Sequence, residues 1–202
     1  MTKLYGTSRS RSARSLWALE ELGVKYEHVP INTTTDPKSA EHLKRNPNGH
    51  VPVLEDDGLL VWESMAINLY LAEKYGKNSL WPSDLASHAD LYKWSFWAMT
   101  EVEPLLLTIL RNRVMNPPEQ RDEKAAAAAV ESLKAPLNAL EGSLKGKEYL
   151  LGNTFTIADL NVAAVMSWIP MIKLDMSATP TVQAWLQKCL GREANKAVRA
   201  LK

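Results

Sequence analysis

The chain has 202 residues, 46% of them hydrophobic, enough to bury one sizeable core or two smaller ones. Its 24 Lys and Arg against 23 Asp and Glu leave a net charge of +1, which favours neither nucleic acid nor an anionic membrane as a partner. Cys189 is the only cysteine, excluding an internal disulfide, a Cys-x-x-Cys redox motif and a cysteine-built zinc cage. The opening Met1-Thr2-Lys3-Leu4-Tyr5-Gly6 lacks the apolar core of a signal peptide, and no stretch approaches the roughly 20 apolar residues of a membrane span. The cytoplasm is the expected location.

Residues 3–5 read as a strand, 13–22 as a helix stopped by Gly23, and 26–31 as a second strand. A helix over 39–45 precedes two short apolar strands, 53–54 and 59–62, set around Asp56-Asp57-Gly58, a strong hairpin signal. A helix over 64–75 completes a β-α-β-α-β-β-α order, which is the thioredoxin-like one. The character changes near Gly76. Beyond Trp81-Pro82 everything reads helical: 87–115, a broken run over 119–144 with Pro136 inside it, 156–168 and 181–190. The expected architecture is α/β plus all-α: a thioredoxin-like domain over 1–78, a linker over 79–86 and an all-helical domain over 87–202.

The segment Asn46-Pro47-Asn48-Gly49-His50-Val51-Pro52-Val53-Leu54 has the physics of a site for a small peptide. Val51 precedes a proline and is pushed toward extended geometry, while Pro52 is able to take the cis bond. A bulge there leaves the Val51 N–H and C=O to pair with an extended peptide, as in strand addition. The following helix begins at Ser64, where free N–H groups and the positive dipole end suit a carboxylate.

A second candidate, Thr7-Ser8-Arg9-Ser10-Arg11-Ser12-Ala13-Arg14-Ser15, lies between the first strand and the first helix. A Ser-Arg run of this kind also reads as a solvated loop, a nucleic-acid contact or a phosphorylation target. A basic stripe does not recur elsewhere, which argues against nucleic acid. Ser10 or Ser12 also suits the role of helix N-cap, which needs no activity.

Together these segments resemble the cytosolic glutathione S-transferase family. Leu4-Tyr5-Gly6, then Ser10-Arg11-Ser12-Ala13-Arg14 and Leu16-Trp17-Ala18-Leu19-Glu20-Glu21-Leu22-Gly23, is similar to the N-terminal signature of bacterial and fungal members. The Asn46 to Leu54 segment and Glu63-Ser64-x-Ala66-Ile67 are similar to its glutathione-binding segments, and Phe155-Thr156-Ile157-Ala158-Asp159 to its helical-domain signature. The resemblance spans nearly the whole chain in the right order.

The resemblance implies glutathione as co-substrate, no metal, and a small-molecule electrophile as second substrate. It pairs the Val51 backbone with the cysteinyl unit, with Pro52 cis. Glu63 would meet the γ-glutamyl amino group, and Ser64 with the helix start the γ-glutamyl carboxylate. His50 stands near the glycyl end, where many relatives carry Gln or Lys. Ser10 matches the catalytic serine, with Ser12 and Ser8 as neighbouring rivals. No cysteine occupies this loop, so thiolate addition or substitution is expected over cysteine-based thiol transfer, and Cys189 reads as a buried small hydrophobe.

Asp159 is a lone acid among apolar residues, but Thr156-x-x-Asp159 is a capping-box-like helix start, so it is assigned to folding. Trp94, Phe96, Trp97 and Met99 lie on the first helix of the helical half; Trp94 and Trp97 are the candidates for an electrophile pocket, against the plainer reading as core. Glu101, Glu103, Arg111 and Arg113 are placed to reach glutathione from a neighbouring subunit, against the plainer reading as solvated or as part of a homodimer interface. The reading is a glutathione transferase; the same scaffold also serves as a non-catalytic glutathione- or protein-binding module, and peroxidase, isomerase or dehalogenase chemistry would share the site.

Overall fold

A computed structural model of the chain describes residues 1–33, 35–77 and 79–201. Asn78, the last residue of the expected first domain, lies outside the described residues. By contact clustering the chain divides into two compact units, Met1–Ser83 with Gly191–Lys202, and Asp84–Leu190.

The first unit is built on four strands in the order β2-β1-β3-β4. β1 (Thr2–Tyr5) runs parallel to β2 (Tyr26–Val29), and α1 (Ser12–Leu22) makes the crossover that a parallel pair requires. β3 (Val53–Asp56) lies antiparallel to β1 and turns into the edge strand β4 (Leu59–Trp62). Asp57 and Gly58 both have positive φ, 52° and 86°, the geometry of a two-residue hairpin whose twist matches its strands. β2 stops at Val29, short of the expected 31. A short 3-10 turn, Asp36–Lys38, leads to α2 (Ala40–Arg45), where the Ser39 hydroxyl accepts the His42 N–H.

α3 (Ser64–Tyr75) packs on α1. Leu16, Trp17, Ala18 and Leu19 of α1, Ile67 and Leu71 of α3, and Leu4, Val53 and Leu54 of the sheet are all buried. This is the two-layer solution to covering one apolar sheet face. The thioredoxin-like order expected from the sequence is therefore the observed one.

At the far end of the sheet the Asp56 carboxylate is buried. It accepts Thr2 Oγ1 at 2.7 Å, Lys74 Nζ at 2.8 Å, and the Tyr70 and Tyr75 hydroxyls at 2.9 Å. Burial alone would raise its pKa, but the hydrogen bonds from Lys74, Thr2, Tyr70 and Tyr75 outweigh it and hold it at about 2.

The first unit also includes α10 (Glu193–Ala200), which packs on α1. Arg192 Nε donates to Glu21 at 2.8 Å, Glu21 also accepts Trp17 Nε1 at 3.1 Å, and Ser8 Oγ donates to the Leu201 carbonyl at 3.1 Å. The sequence reading has this segment in the helical domain and assigns it no element. Its buried residues are Asn195 and Val198; Ala194, Ala197, Val198 and Leu201 do stand at helical spacing, but the stripe is short and half alanine.

The second unit is all helical. The helix expected over 87–115 is a relay of α4 (Leu85–Trp97), a π-helical turn (Ala98–Val102), α5 (Glu103–Leu110) and a second π-helical turn (Arg111–Met115). Pro104, in the first turn of α5, has no N–H to donate backward, which separates α4 from α5. α6 (Glu123–Leu144) is unbroken through Pro136, against the expected interruption. The bond lost at Pro136 is to the carbonyl of Ser132, an exposed residue on the solvent side of the helix, while Ala126, Ala129, Leu133, Leu137, Leu140 and Leu144 keep the apolar face buried.

α7 (Ile157–Met166) is buried along its whole length, and is followed by α8 (Ile169–Ile172) and α9 (Pro180–Leu190). Its start is the expected capping box of Thr156 and Asp159. Asp159 also accepts the Leu150 N–H at 2.8 Å and Trp185 Nε1 at 3.0 Å. Burial pushes its carboxyl up, opposed by these bonds. Among the described residues no helix is long and apolar enough to cross a membrane.

Two substitutions test these buried acids. Asp159→Ala leaves the Leu150, Thr156 and Trp185 donors without their acceptor, and denaturant melts are expected to show a loss of about 2–4 kcal/mol. Asp56, with its folded pKa below the unfolded value of about 3.9, contributes stability that is present above pH ~4 and disappears as the pH falls toward about 2. The Asp56 share of the acid loss should be about 2 kcal/mol across that window, on top of that of the other carboxylates held low, and Asp56→Asn should remove that share; equal acid slopes for the two proteins would reject the assignment.

Candidate active site

The loop after β1 is organised by Gly6. Its N–H donates to the Val29 carbonyl at 3.0 Å, and its own carbonyl takes the Ile31 N–H and lies 3.0 Å from His28 Nε2. A Cβ on Gly6 would stand 2.0 Å from Ser12 Oγ and 3.7 Å from Val51 Cβ. The start of α1 and the loop before β3 therefore meet where residue 6 has no side chain.

Ser12 is fully buried, whereas Ser10 is half-buried. Ser10 Oγ lies 2.9 Å from the Thr7 carbonyl, 2.9 Å from Ser12 Oγ and 3.1 Å from the Ser12 N–H. A carbonyl only accepts, so the single Ser10 proton goes to Thr7, and the Ser10 oxygen receives the Ser12 hydroxyl and N–H. Ser10 thus holds the first N–H of α1, but neither serine is the helix N-cap: that position is Arg11, which makes no side-chain cap bond, and Ser12 is already the first helical residue. Ser8 is tied to Leu201.

The second element is the loop from Asn46 to Pro52. Gly49 adopts φ 63°, and its N–H returns to the Asn46 carbonyl at 2.9 Å. Asn46 is buried; its Oδ1 accepts the Asn48 N–H at 3.0 Å and its Nδ2 donates to the His50 carbonyl at 2.9 Å. His42 Nε2, on α2, lies 3.0 Å from the same carbonyl. The His50 side chain is exposed. The Val51–Pro52 peptide bond is cis. Among the described residues none hydrogen-bonds the Val51 N–H or C=O.

The third element is the turn from β4 into α3. Glu63 is exposed and takes φ 71°, ψ 115°, a left-handed conformation that costs a non-glycine residue about 1–3 kcal/mol. It caps α3 with its carbonyl, which accepts the Ile67 N–H, and leaves its carboxylate unused for capping. Ser64 is buried against α1, with its hydroxyl 3.5 Å from Arg14 Nη1 and its carbonyl 3.5 Å from Ser15 Oγ. Asn68 Nδ2 reaches the Arg14 carbonyl at 3.4 Å. The buried Arg14 guanidinium and the helix dipole place positive potential on the same end of α3.

Ser10, Val51, Pro52, Glu63 and Ser64 all belong to the first unit. Of the residues that support these elements from below, Arg14, Ser15 and Asn46 fall inside the candidate segments but carry no role of their own in the sequence analysis, and His42 and Asn68 are not singled out there at all. A polar residue on an otherwise apolar helix face, as with Arg14 and Ser15 beside Leu16 and Trp17, is the signal that marks them.

In the second unit Trp94 is buried and Trp97 half-buried, stacked edge to face with centroids 5.1 Å apart. Trp94 is thus largely core, and Trp97 and Met99 offer more surface. Glu101 and Arg111 are exposed and Arg113 pairs with Glu123. Glu103 is buried, contrary to the solvated reading. Asp159 is spent on the α7 cap and Cys189 is buried.

Comparison with known proteins gives the same assignment. The family model described as the N-terminal domain of glutathione S-transferase matches residues 1–73, and that of the C-terminal domain matches 102–193. Glutathione S-transferase GstB of Escherichia coli strain K12 is 33% identical over 202 residues, covering 98% of this chain and 97% of the relative. A glutathione S-transferase-I bound with lactoylglutathione superposes with a TM-score of 0.90 at 35% identity, covering 100% of this chain and 99% of the other. The maize transferase I, solved with an atrazine glutathione conjugate, gives 0.89 at 35% identity, covering 98% and 96%.

The close approach at Gly6 has a direct test. Gly6→Ala forces a methyl onto Ser12 and should destabilise the protein by about 1–3 kcal/mol in denaturant melts. Combining it with Ser12→Gly, which removes the opposing atoms, should recover part of that loss; no recovery would mean that the clash is not with Ser12.

Proposed function

The chain belongs to the glutathione S-transferase family, and we propose that it activates the thiol of glutathione for attack on an apolar electrophile. The observation that carries this reading is the closeness of Ser12 and Val51 around Gly6, where an added Cβ would meet both. It supports a serine loop and a backbone N–H and C=O without protein partners lying together at the end of one strand, as a thiol attached to a bound peptide requires.

In this reading the Val51 N–H and C=O pair with the cysteinyl unit, and Glu63 meets the γ-glutamyl ammonium. Ser64 and the start of α3, over the buried Arg14, take the γ-glutamyl carboxylate. His50, exposed beside this loop, faces the glycyl end. The free thiol has a pKa of about 8.5. Ser10, releasing the Thr7 carbonyl, donates its proton to the sulfur, while the Ser12 hydroxyl and N–H polarise it from behind. A depression of about two units, roughly 2.7 kcal/mol, makes thiolate the main form near neutral pH. The thiolate then forms an S–C bond with the electrophile as a leaving group departs or a double bond takes up the electron pair. The accessibility of Ser10 against the full burial of Ser12 supports Ser10 as donor.

The thioredoxin-like unit binds glutathione, and the helical unit, with Trp97 more than Trp94, provides apolar surface for the second substrate. Exposed apolar rows support a homodimer: Leu59, Leu60 and Trp62 on the edge strand, and Leu85, Tyr92 and Phe96 on one face of α4, with Leu85 82% and Phe96 65% exposed. A reducing cytoplasm, which keeps the co-substrate thiol free, is the matching compartment.

Ultraviolet titration of the thiolate of glutathione bound to the purified protein tests the assignment. Wild type should hold the thiol well below 8.5. Ser10→Ala should raise the bound thiol's pKa by one unit or more and lower turnover at least tenfold, with glutathione still bound. An unchanged pKa and turnover would remove Ser10 from the mechanism, and no binding at millimolar glutathione would overturn the enzyme reading itself.

A further inference from the structure

Resting on the reading that Val51 pairs with the cysteinyl unit, we propose that His42 is a positioning residue that aims the Val51 N–H at glutathione by holding the carbonyl of the same peptide group.

His42 lies on α2 and is 1% exposed. Its Nε2 is 3.0 Å from the His50 carbonyl, and because a carbonyl only accepts, Nε2 carries the proton. Asn46 Nδ2 donates to the same oxygen at 2.9 Å, so both lone pairs of the His50 carbonyl are engaged. That carbonyl and the Val51 N–H belong to one planar trans peptide unit and point in opposite directions. Fixing the oxygen from within therefore fixes the direction of the N–H toward the outside. Tilting this peptide breaks two buried hydrogen bonds at once.

The two donors differ in what else they do. Asn46 is also the hub of the turn itself, through Asn48 and Gly49. The His42 ring makes one hydrogen bond among the described residues: its Nδ1 is buried with no partner. A buried polar ring with one nitrogen unserved is a poorer core residue than an apolar ring of similar size. Its Nε2 proton on the Val51 peptide is the one polar service it performs. This separates aim from packing, because a side chain that fills the same space without a donor should preserve the fold and lose the aim.

His42→Phe and His42→Met remove the donor and keep the ring space filled. His42→Gln keeps a donor, since a Gln side-chain amide nitrogen stands as many bonds from the backbone as the imidazole Nε2. For each folded variant, the glutathione dissociation constant by tryptophan fluorescence and KM and kcat with a model electrophile are to be measured. The backbone amide shift of Val51 in nitrogen-15 spectra of the ligand-free protein serves as the third readout.

The expected result is a tenfold or greater rise in Kd and KM for glutathione in the Phe and Met variants. Their kcat at saturating glutathione should stay within threefold, the Val51 amide should shift, and all values should return to within threefold of wild type in the Gln variant. Unchanged affinity in the donorless variants, or a Gln variant as impaired as Phe, overturns the inference. So does failure of both donorless variants to fold, which would make His42 a core residue. If the wild type itself does not bind glutathione, it is the underlying assignment of Val51 that falls.

Discussion

The missing side chain at Gly6 is the constraint on which the candidate site depends. The volume a Cβ would fill is taken by Ser12, with Val51 beside it. That close approach lets the first turn of α1 start against the end of β1. Buried there, Ser12 supports Ser10 from behind, and Ser10 is left as the accessible hydroxyl. Gly6 also accepts from Ile31 and donates to Val29. The parallel β1–β2 pairing and the serine loop are thereby fixed from the same residue, and a change of packing at one reaches the other.

Around this point the first unit buries a set of polar side chains that a pure folding argument would make apolar: Ser12, Arg14, Ser15, His42, Asn46, Ser64 and Asn68. Each costs desolvation, so each needs a hydrogen bond in return. Here those bonds go mostly to the backbone of the three site segments. Ser12 serves Ser10, Ser15 reaches the Ser64 carbonyl, and His42 and Asn46 reach His50. Buried side chains thereby hold the backbone of the three site segments in place. Since the chain's net charge is close to zero, activation of a thiol has to come from such local dipoles and the α3 terminus rather than from a long-range field.

Legibility in the sequence followed the periodicity of the signal. The hairpin was readable because Asp57-Gly58 supplies the two positive φ values the turn needs, and α1 because Leu16, Trp17 and Leu19 mark a buried face that Gly23 ends. The α7 cap was readable because Thr156 and Asp159 stand three apart. α10 was passed over although Ala194, Ala197, Val198 and Leu201 stand at helical spacing, because the stripe spans only two turns and two of its four members are alanines. Pro136 misled because its penalty depends on whether the freed carbonyl meets water, a fact of tertiary placement. The candidate segments Val51-Pro52 and Glu63-Ser64 follow from local backbone chemistry. The supporting residues behind them act through contacts made over long sequence separations: His42 is eight residues from His50, and Arg14 is fifty from Ser64. A linear pattern does not encode such pairs.

The satisfaction of hydrogen-bond capacity separates structural acids from candidate functional groups. Asp56 and Asp159 are both buried carboxylates, the type that tempts a catalytic reading. Each is ringed by donors from at least three residues, and neither has an oxygen left for chemistry. Their function ends in holding a sheet end and a helix start. Val51 is the converse. Its N–H and C=O meet no partner among the described residues, although the carbonyl just before it, that of His50, takes two side-chain donors. A backbone donor and acceptor left without protein partners add nothing to the fold, and half-buried Val51 keeps both within reach of solvent. The proposed pairing with the cysteinyl unit of glutathione would replace that solvent with a strand-like partner, which is why the reading of the site turns on Val51 rather than on either buried acid.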